Sequence, residues 1–185
     1  PVLGQNLHPI LSHWEEHSIE EKKGYLLMLN DLVYQKSEKV INVMGKIADS
    51  NTKVLFANSF GECYTDERPM ASVTAVVIMS DGTRVENFHS SKSFRMGFEF
   101  LTADLIEEVS NDVVKGCERL FEAKRPPCGE MAVVMGSGSS GILLHEAIGH
   151  TFEADFNRKN VSIFSDKMGK KICNSSINIV DDGTI

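Results

Sequence analysis

The run Ala71-Ser72-Val73-Thr74-Ala75-Val76-Val77-Ile78-Met79, then Ser80-Asp81-Gly82, then Thr83-Arg84-Val85-Glu86-Asn87-Phe88, decides the fold class. β-Branched residues recur through both flanking runs, and the Ser-Asp-Gly between them supplies a glycine-containing reversal, so the stretch reads as a β-hairpin. Upstream, Val40-Ile41-Asn42-Val43-Met44 and Lys53-Val54-Leu55-Phe56-Ala57 read as two more strands about a turn at Asp49-Ser50-Asn51. Four strands in meander order predict an antiparallel sheet with one face packed on helices.

The helices flank these strands. Ser18-Ile19-Glu20-Glu21 fits a capping box, with the Ser18 hydroxyl on an N–H three residues on and Glu21 reaching back. Tyr25, Leu26, Leu29, Leu32 and Val33 then follow helical spacing, which predicts a helix over 19–36. A shorter helix is expected around 8–16, with Pro9 in its first turn. A further helix is predicted over 101–123 and stopped by Arg125-Pro126-Pro127. The domain junction is placed there, giving an N-terminal α+β domain over 1–125 and the beginning of a second, α/β domain over 126–185. The second opens with a short buried-type strand, Met131-Ala132-Val133-Val134-Met135, a glycine-rich loop and a helix-like segment over 142–150.

Composition removes several function classes. Nineteen Lys and Arg against 26 Asp and Glu leave a charge of −7, which argues against a general nucleic-acid surface, because such surfaces draw most of their affinity from neutralising phosphates. No run approaches the ~18 apolar residues that would span a bilayer. Cys63, Cys117, Cys128 and Cys173 form no C-x-x-C pair, so reduced thiols and a cytoplasmic location are expected, with no membrane partner. The chain opens on Pro1-Val2 and stops at Asp181-Asp182-Gly183-Thr184-Ile185, where another element should begin, and so reads as a piece of a longer protein.

The chemistry concentrates after the junction. Gly136-Ser137-Gly138-Ser139-Ser140-Gly141 matches G-x-G-x-x-G between a predicted strand and helix, the dinucleotide fingerprint. That reading needs an acidic residue closing a second parallel strand; Asp155 has the spacing, but Thr151-Phe152-Glu153-Ala154 is no strand-forming run. His145-Glu146-Ala147-Ile148-Gly149-His150 is H-E-x-x-x-H, one residue longer than the H-E-x-x-H of zinc peptidases. At about 100° per residue, five steps leave the imidazoles ~140° apart on a regular helix. They converge only if a π-type insertion widens the turn or the helix ends near Gly149, where glycine leaves the helical well at least cost. Two unrelated helix histidines are the alternative.

Other candidates carry less. His8, His13 and His17, with Glu15 and Glu16 among them, could mark a surface metal site but read better as a polar helix face. Ser137, Ser139 and Ser140 follow no nucleophile-elbow pattern, His89 stands alone, and Phe94, Phe98 and Phe100 read as the edge of a core.

The segment Gly141–His150, continued by Glu153-Ala154-Asp155-Phe156-Asn157-Arg158-Lys159, Ser162-Ile163-Phe164-Ser165 and Val180-Asp181-Asp182-Gly183-Thr184, closely resembles the TldD/PmbA metallopeptidase family, once called modulators of DNA gyrase. The resemblance is specific to the TldD-type branch, since the PmbA (TldE) branch lacks H-E-x-x-x-H. It implies a zinc-dependent peptidase acting on unstructured peptides or small proteins, with His145 and His150 as ligands of Zn2+ and Glu146 as the catalytic carboxylate that activates a zinc-bound water. Zinc lowers the pKa of a bound water towards ~7, and its ligands must be neutral imidazoles, so activity should fall as pH drops through the histidine range near ~6.5. The third ligand implied by the family is a cysteine near a far C-terminus. Cys173 is the one cysteine downstream of the motif and is expected to be a small buried residue instead, while Glu153 and Asp155 are open among supporting, substrate-side and structural roles. A chain holding two imidazoles alone should bind zinc weakly and be inactive. The resemblance also implies a motif-lacking paralogous subunit of TldE/PmbA type, or a homodimer, as partner. A non-catalytic peptide- or partner-binding protein of the same fold is the alternative.

Overall fold

Ser18 caps the first helix as its sequence requires, its Oγ accepting the Glu21 N–H at 3.1 Å, and α1 runs Ile19–Lys36. Glu21 completes no reciprocal box; its carboxylate turns to His17 Nδ1 at 2.9 Å. The structure, a computed structural model, describes residues 8–138 and 140–181. The chain divides into two compact units, Pro1–Pro126 and Pro127–Ile185.

The first unit is α+β. Strands β1 (Val40–Ala57), β2 (Cys63–Ser80) and β3 (Val85–Phe94) form an antiparallel sheet in that order, followed by α2 (Ala103–Glu122). Every second residue of β2 from Ala71 to Met79 is fully buried, as strand periodicity dictates. Against Ala71, Val73, Ala75, Val77 and Met79 sit Leu29 and Val33 of α1 and Ile106, Val109 and Val113 of α2, spaced three and four apart. Burying each larger aliphatic side chain contributes about 1.5–3 kcal/mol, so this seam holds the unit together. Gly116 lets α2 lie directly on β3: a Cβ there would fall 2.2 Å from the Phe88 ring. Ion pairs from Lys36 to Glu107 and from Lys92 to Glu108, both 2.6 Å, stitch α2 to α1 and to β3 at the surface.

The sheet has three strands where the sequence pattern predicts four. Asp49, Ser50 and Asn51 make no turn; they continue β1 opposite Ala71, Met70 and Pro69. The reversal lies at Asn58–Glu62, where Asn58 Oδ1 accepts the Phe60 and Glu62 N–H groups and Gly61 takes φ +84°. Since β3 pairs only with Ala71–Ser80, β1 and β2 run beyond it as a two-stranded ribbon. Asp49, Ser50 and Asn51 are all exposed on β1, where polar residues cost nothing, so Asp-Ser-Asn reported solvent rather than a turn. β3 also starts two residues later than predicted, because Asp81 accepts the Thr83 and Arg84 N–H groups and the Thr83 hydroxyl and keeps 81–84 in the turn. Those donors, the Thr83 hydroxyl foremost, hold the Asp81 carboxyl down at about 2.

The helix expected over 8–16 is reduced to a 3₁₀ turn at Trp14–Glu16. This segment is tied down by Glu99, whose carboxylate accepts the Leu11, Ser12 and Gly97 N–H groups. Ser12 Oγ lies 2.7 Å from His17 Nε2, and His17 Nδ1 bonds Glu21, a nucleophile–base–acid order. Yet the His17 ring lies flat on Phe98 with centroids 3.6 Å apart, and Glu99 occupies the backbone donors an oxyanion would need. The arrangement fastens the segment rather than preparing a nucleophile. Phe98 and Phe100 are buried as the sequence predicts, and Phe94 leans on Phe100 at 5.2 Å.

In the second unit no described residue is buried. Met131–Met135 is not a strand, and Val134 is 97% exposed. An apolar run becomes a strand only when another backbone pairs with it, and among the described residues none does. Helix α3 spans Ser140–Ala147, a 3₁₀ turn spans Gly149–Phe152, and α4 spans Ala154–Arg158. All four cysteines are free thiols. No helix among the described residues is long and apolar enough to cross a membrane.

Candidate metal centre

Helix α3 carries His145 and Glu146 on its last turn and stops at Ala147. Ile148 makes the last helical bond, its N–H to Leu144 O at 2.9 Å, but its own backbone leaves the helix at φ −127°, ψ −44°. The chain then tightens into the Gly149–Phe152 turn, with Thr151 N–H on Ile148 O at 3.0 Å. Of the two routes open to H-E-x-x-x-H, this is the ending of the helix, not a π insertion. The change of winding brings the rings together: the His145 and His150 centroids are 4.5 Å apart, inclined by 66°.

Gly149 contributes in a way its conformational freedom does not explain. Its φ is not positive, and Ile148 takes the irregular backbone. What the glycine supplies is room, since a Cβ would sit 3.3 Å from His145 Nδ1. The turn is buttressed from below: Thr151 O accepts from Asn157 Nδ2 at 3.0 Å and from the Ser162 hydroxyl at 2.6 Å. Phe152 stacks on Phe164 at 5.0 Å.

One ligand atom from each of His145, Glu146 and His150 lies within 4.8 Å of the other two. Two imidazoles and a carboxylate at that separation are a donor set that suits zinc, and also nickel or copper, and all three side chains are open to solvent. Among the described residues no other group of three such side chains converges, so His8, His13 and His17 are not brought together as the motif residues are. Glu146 Oε2 stands 3.5 Å from His150 Nε2, and Glu153 Oε1 stands 2.7 Å from His150 Nδ1. The Glu153 hydrogen bond, backed by the charges of Glu153 and Glu146, raises the His150 pKa above its ordinary value.

Cys173 is exposed, not the small buried residue its sequence context predicts, since no described residue of this unit is buried. It lines a cleft of about 790 Å³ together with His145, Gly149, Glu153 and Ile177. Its Sγ stands 3.6 Å from Asn174 O and does not join the His145, Glu146 and His150 donors. Asp155 forms a surface pair with Lys159 at 3.3 Å. Glu153 is the contact the sequence left open; its signal was the spacing of three from His150. The G-x-G-x-x-G loop lacks the preceding strand that a dinucleotide site requires, and its Ser139 lies outside the described residues.

A family profile described as the PmbA/TldA metallopeptidase central domain matches residues 12–118, and one described as the PmbA/TldA metallopeptidase C-terminal domain matches residues 128–185. The chain belongs to the PmbA/TldD metallopeptidase family. The Buchnera aphidicola (Acyrthosiphon pisum) metalloprotease TldD homolog is 34% identical, over 98% of this chain and 38% of its own length. The Haemophilus influenzae TldD homolog is 32% identical over 92% of the chain and 36% of its length, and a Methanothermobacter thermautotrophicus metalloprotease is 31% identical over 79% and 32%. The chain thus spans about a third of the length of the curated relatives it matches. Among solved structures, a proposed DNA gyrase modulator from Thermotoga maritima superposes with a TM-score of 0.70 at 20% identity, covering 88% of this chain and 37% of its own. A similarly described Bacteroides thetaiotaomicron protein gives 0.65 at 17% identity, covering 91% and 38%. At those identities the likeness is one of fold.

Proposed function

We propose that this member of the PmbA/TldD metallopeptidase family serves a zinc-dependent peptidase acting on unstructured peptides, with His145 and His150 as metal ligands and Glu146 as the base. The supporting observation is the convergence of the three ligand atoms within 4.8 Å at the broken end of α3. Bound zinc supplies Lewis acidity, acidifying a water and polarising the scissile carbonyl. The protein's own groups do the rest. His145 and His150 bind as neutral imidazoles. Glu146, exposed and beside both rings, accepts the proton of the attacking water and returns it to the departing amine. The neighbouring cleft is lined by apolar Leu144, Ile172, Ile177 and Val180, a surface suited to side chains of an extended chain. A third protein ligand supplied from outside residues 1–185, and a motif-lacking paralogous subunit or second copy as partner, belong to the same proposal.

Glu146→Gln tests it. In the complete gene product, cleavage of an unstructured peptide should drop by about 10²–10⁴-fold, while zinc binding by equilibrium dialysis changes less than about twofold. Unchanged turnover would overturn the assignment of the base, whereas no metal-dependent cleavage by the unaltered protein would favour a non-catalytic peptide-binding role. Tight one-to-one zinc binding by residues 1–185 alone would overturn the external third ligand.

A further inference from the structure

A neutral imidazole has one proton and one lone pair, and the nitrogen facing the better acceptor keeps the proton. His150 stands between two carboxylates. Glu153 Oε1 is 2.7 Å from Nδ1, a full hydrogen bond, whereas Glu146 Oε2 is 3.5 Å from Nε2, at the outer limit for one. A carboxylate can only accept, so the nearer contact decides which nitrogen is protonated. Glu153 does not reach His150 by accident of rotamer. It closes the Gly149–Phe152 turn, where three residues complete a revolution, so residues 150 and 153 eclipse each other. Its backbone is fixed on both sides: its N–H bonds His150 O at 3.3 Å, and its carbonyl accepts from Asn157 N at 3.1 Å and Asn157 Nδ2 at 3.0 Å.

We propose that Glu153 is the positioning residue for His150: it holds the ring proton on Nδ1 and so presents the bare Nε2 towards Glu146 and the metal. This rests on His150 being a ligand, as argued above. Carboxylate–imidazole–metal arrangements of this kind orient the ring and raise its basicity. The consequence is a division of work between two acids on one short stretch. Glu153 takes over the fixing of His150, and Glu146 is left free to carry a proton.

The test needs neither metal nor substrate. In the metal-free full chain, at a pH where the ring is neutral, two-bond ¹H–¹⁵N correlations should show His150 as the Nδ1–H tautomer. Glu153→Ala should lose that tautomer and weaken cobalt or zinc binding by about 10–100-fold. Glu153→Gln, whose amide can donate as well as accept, should give a mixture of tautomers and an intermediate affinity. Asn157→Ala loosens the same joint without touching the ring and should keep Nδ1–H. An Nε2–H ring in the unaltered protein, or a tautomer and affinity indifferent to Glu153→Ala, overturns the proposal. Because the tautomer is read without turnover, a Glu146→Gln variant that still cleaves would sink the role of Glu146 as the base alone, no cleavage by the unaltered protein would sink the peptidase reading, and an Nε2–H ring would sink this one alone.

Discussion

The two units differ in what holds them. In the first, side chains from three elements meet with no solvent among them: Val73, Ala75 and Val77 of β2, Leu29 and Val33 of α1, Ile106, Val109 and Val113 of α2. In the second no described residue is buried, and the site is built from helix ends, a 3₁₀ turn and hydrogen bonds to backbone carbonyls. Geometry in the first unit is therefore a property of volume, while in the second it is a property of local winding and a few polar contacts. Substitutions should separate the two.

The largest effect on stability is expected for Ile106→Ala. It empties a fully buried position and should cost about 2–5 kcal/mol in denaturant unfolding, whereas Leu143→Ala in the second unit, at a side chain 60% exposed, should stay within about 0.5 kcal/mol. Equal costs would erase the contrast. Next is Gly116→Ala, whose new methyl meets the Phe88 ring and should destabilise by about 1–3 kcal/mol. Gly149→Ala should barely alter unfolding, yet by displacing the His145 ring at a cost of about 0.5–1.5 kcal/mol it should weaken metal binding about two- to tenfold. A loss of fold without loss of affinity would reverse the assignment of its role.

The smallest effect is in the β2–β3 turn. The Asp81 carboxyl is held at about 2, below its value of 3.8 when unconstrained, so it favours the folded state when ionised. Its contribution is present above about pH 4 and disappears as pH falls through 2. Asp81→Asn should therefore lower stability at neutral pH slightly and flatten the acid limb of a pH–stability curve; an unchanged acid limb would remove Asp81 from the account.

What the sequence could disclose follows the same division. Positions 71–79 and the α2 spacing at 106, 109 and 113 were legible because burial imposes a period, and a period survives in a string of letters. The Ser18 cap was legible because its partner is three residues away. The run of β1 through Asp49-Ser50-Asn51 was not, since exposed strand positions place little demand on residue type. The Met131–Met135 run misled for the opposite reason: its letters ask for a partner that the described residues do not supply. At the site, the motif named the three converging side chains, but not the device that joins them. The pattern pointed to backbone freedom at Gly149, and the structure shows the irregular residue to be Ile148, with the glycine making space. Glu153 was visible as a letter, but its contact depends on a 3₁₀ turn no local propensity announces.

The β1–β2 ladder has a bearing on how the chain reaches this state. From Ala57 opposite Cys63 to Asn42 opposite Ile78 the pairing proceeds without a slip, and the irregularity falls only between Val40 and Asn42. Each rung closed from the Asn58–Glu62 reversal lengthens the loop by just two residues, and since loop-closure entropy grows only logarithmically, at about 0.6 kcal/mol per doubling, no single rung meets a large barrier. The ribbon can zip from its solvated tip inward, delivering Val73, Ala75 and Val77 in register to the helices before those helices have to find them.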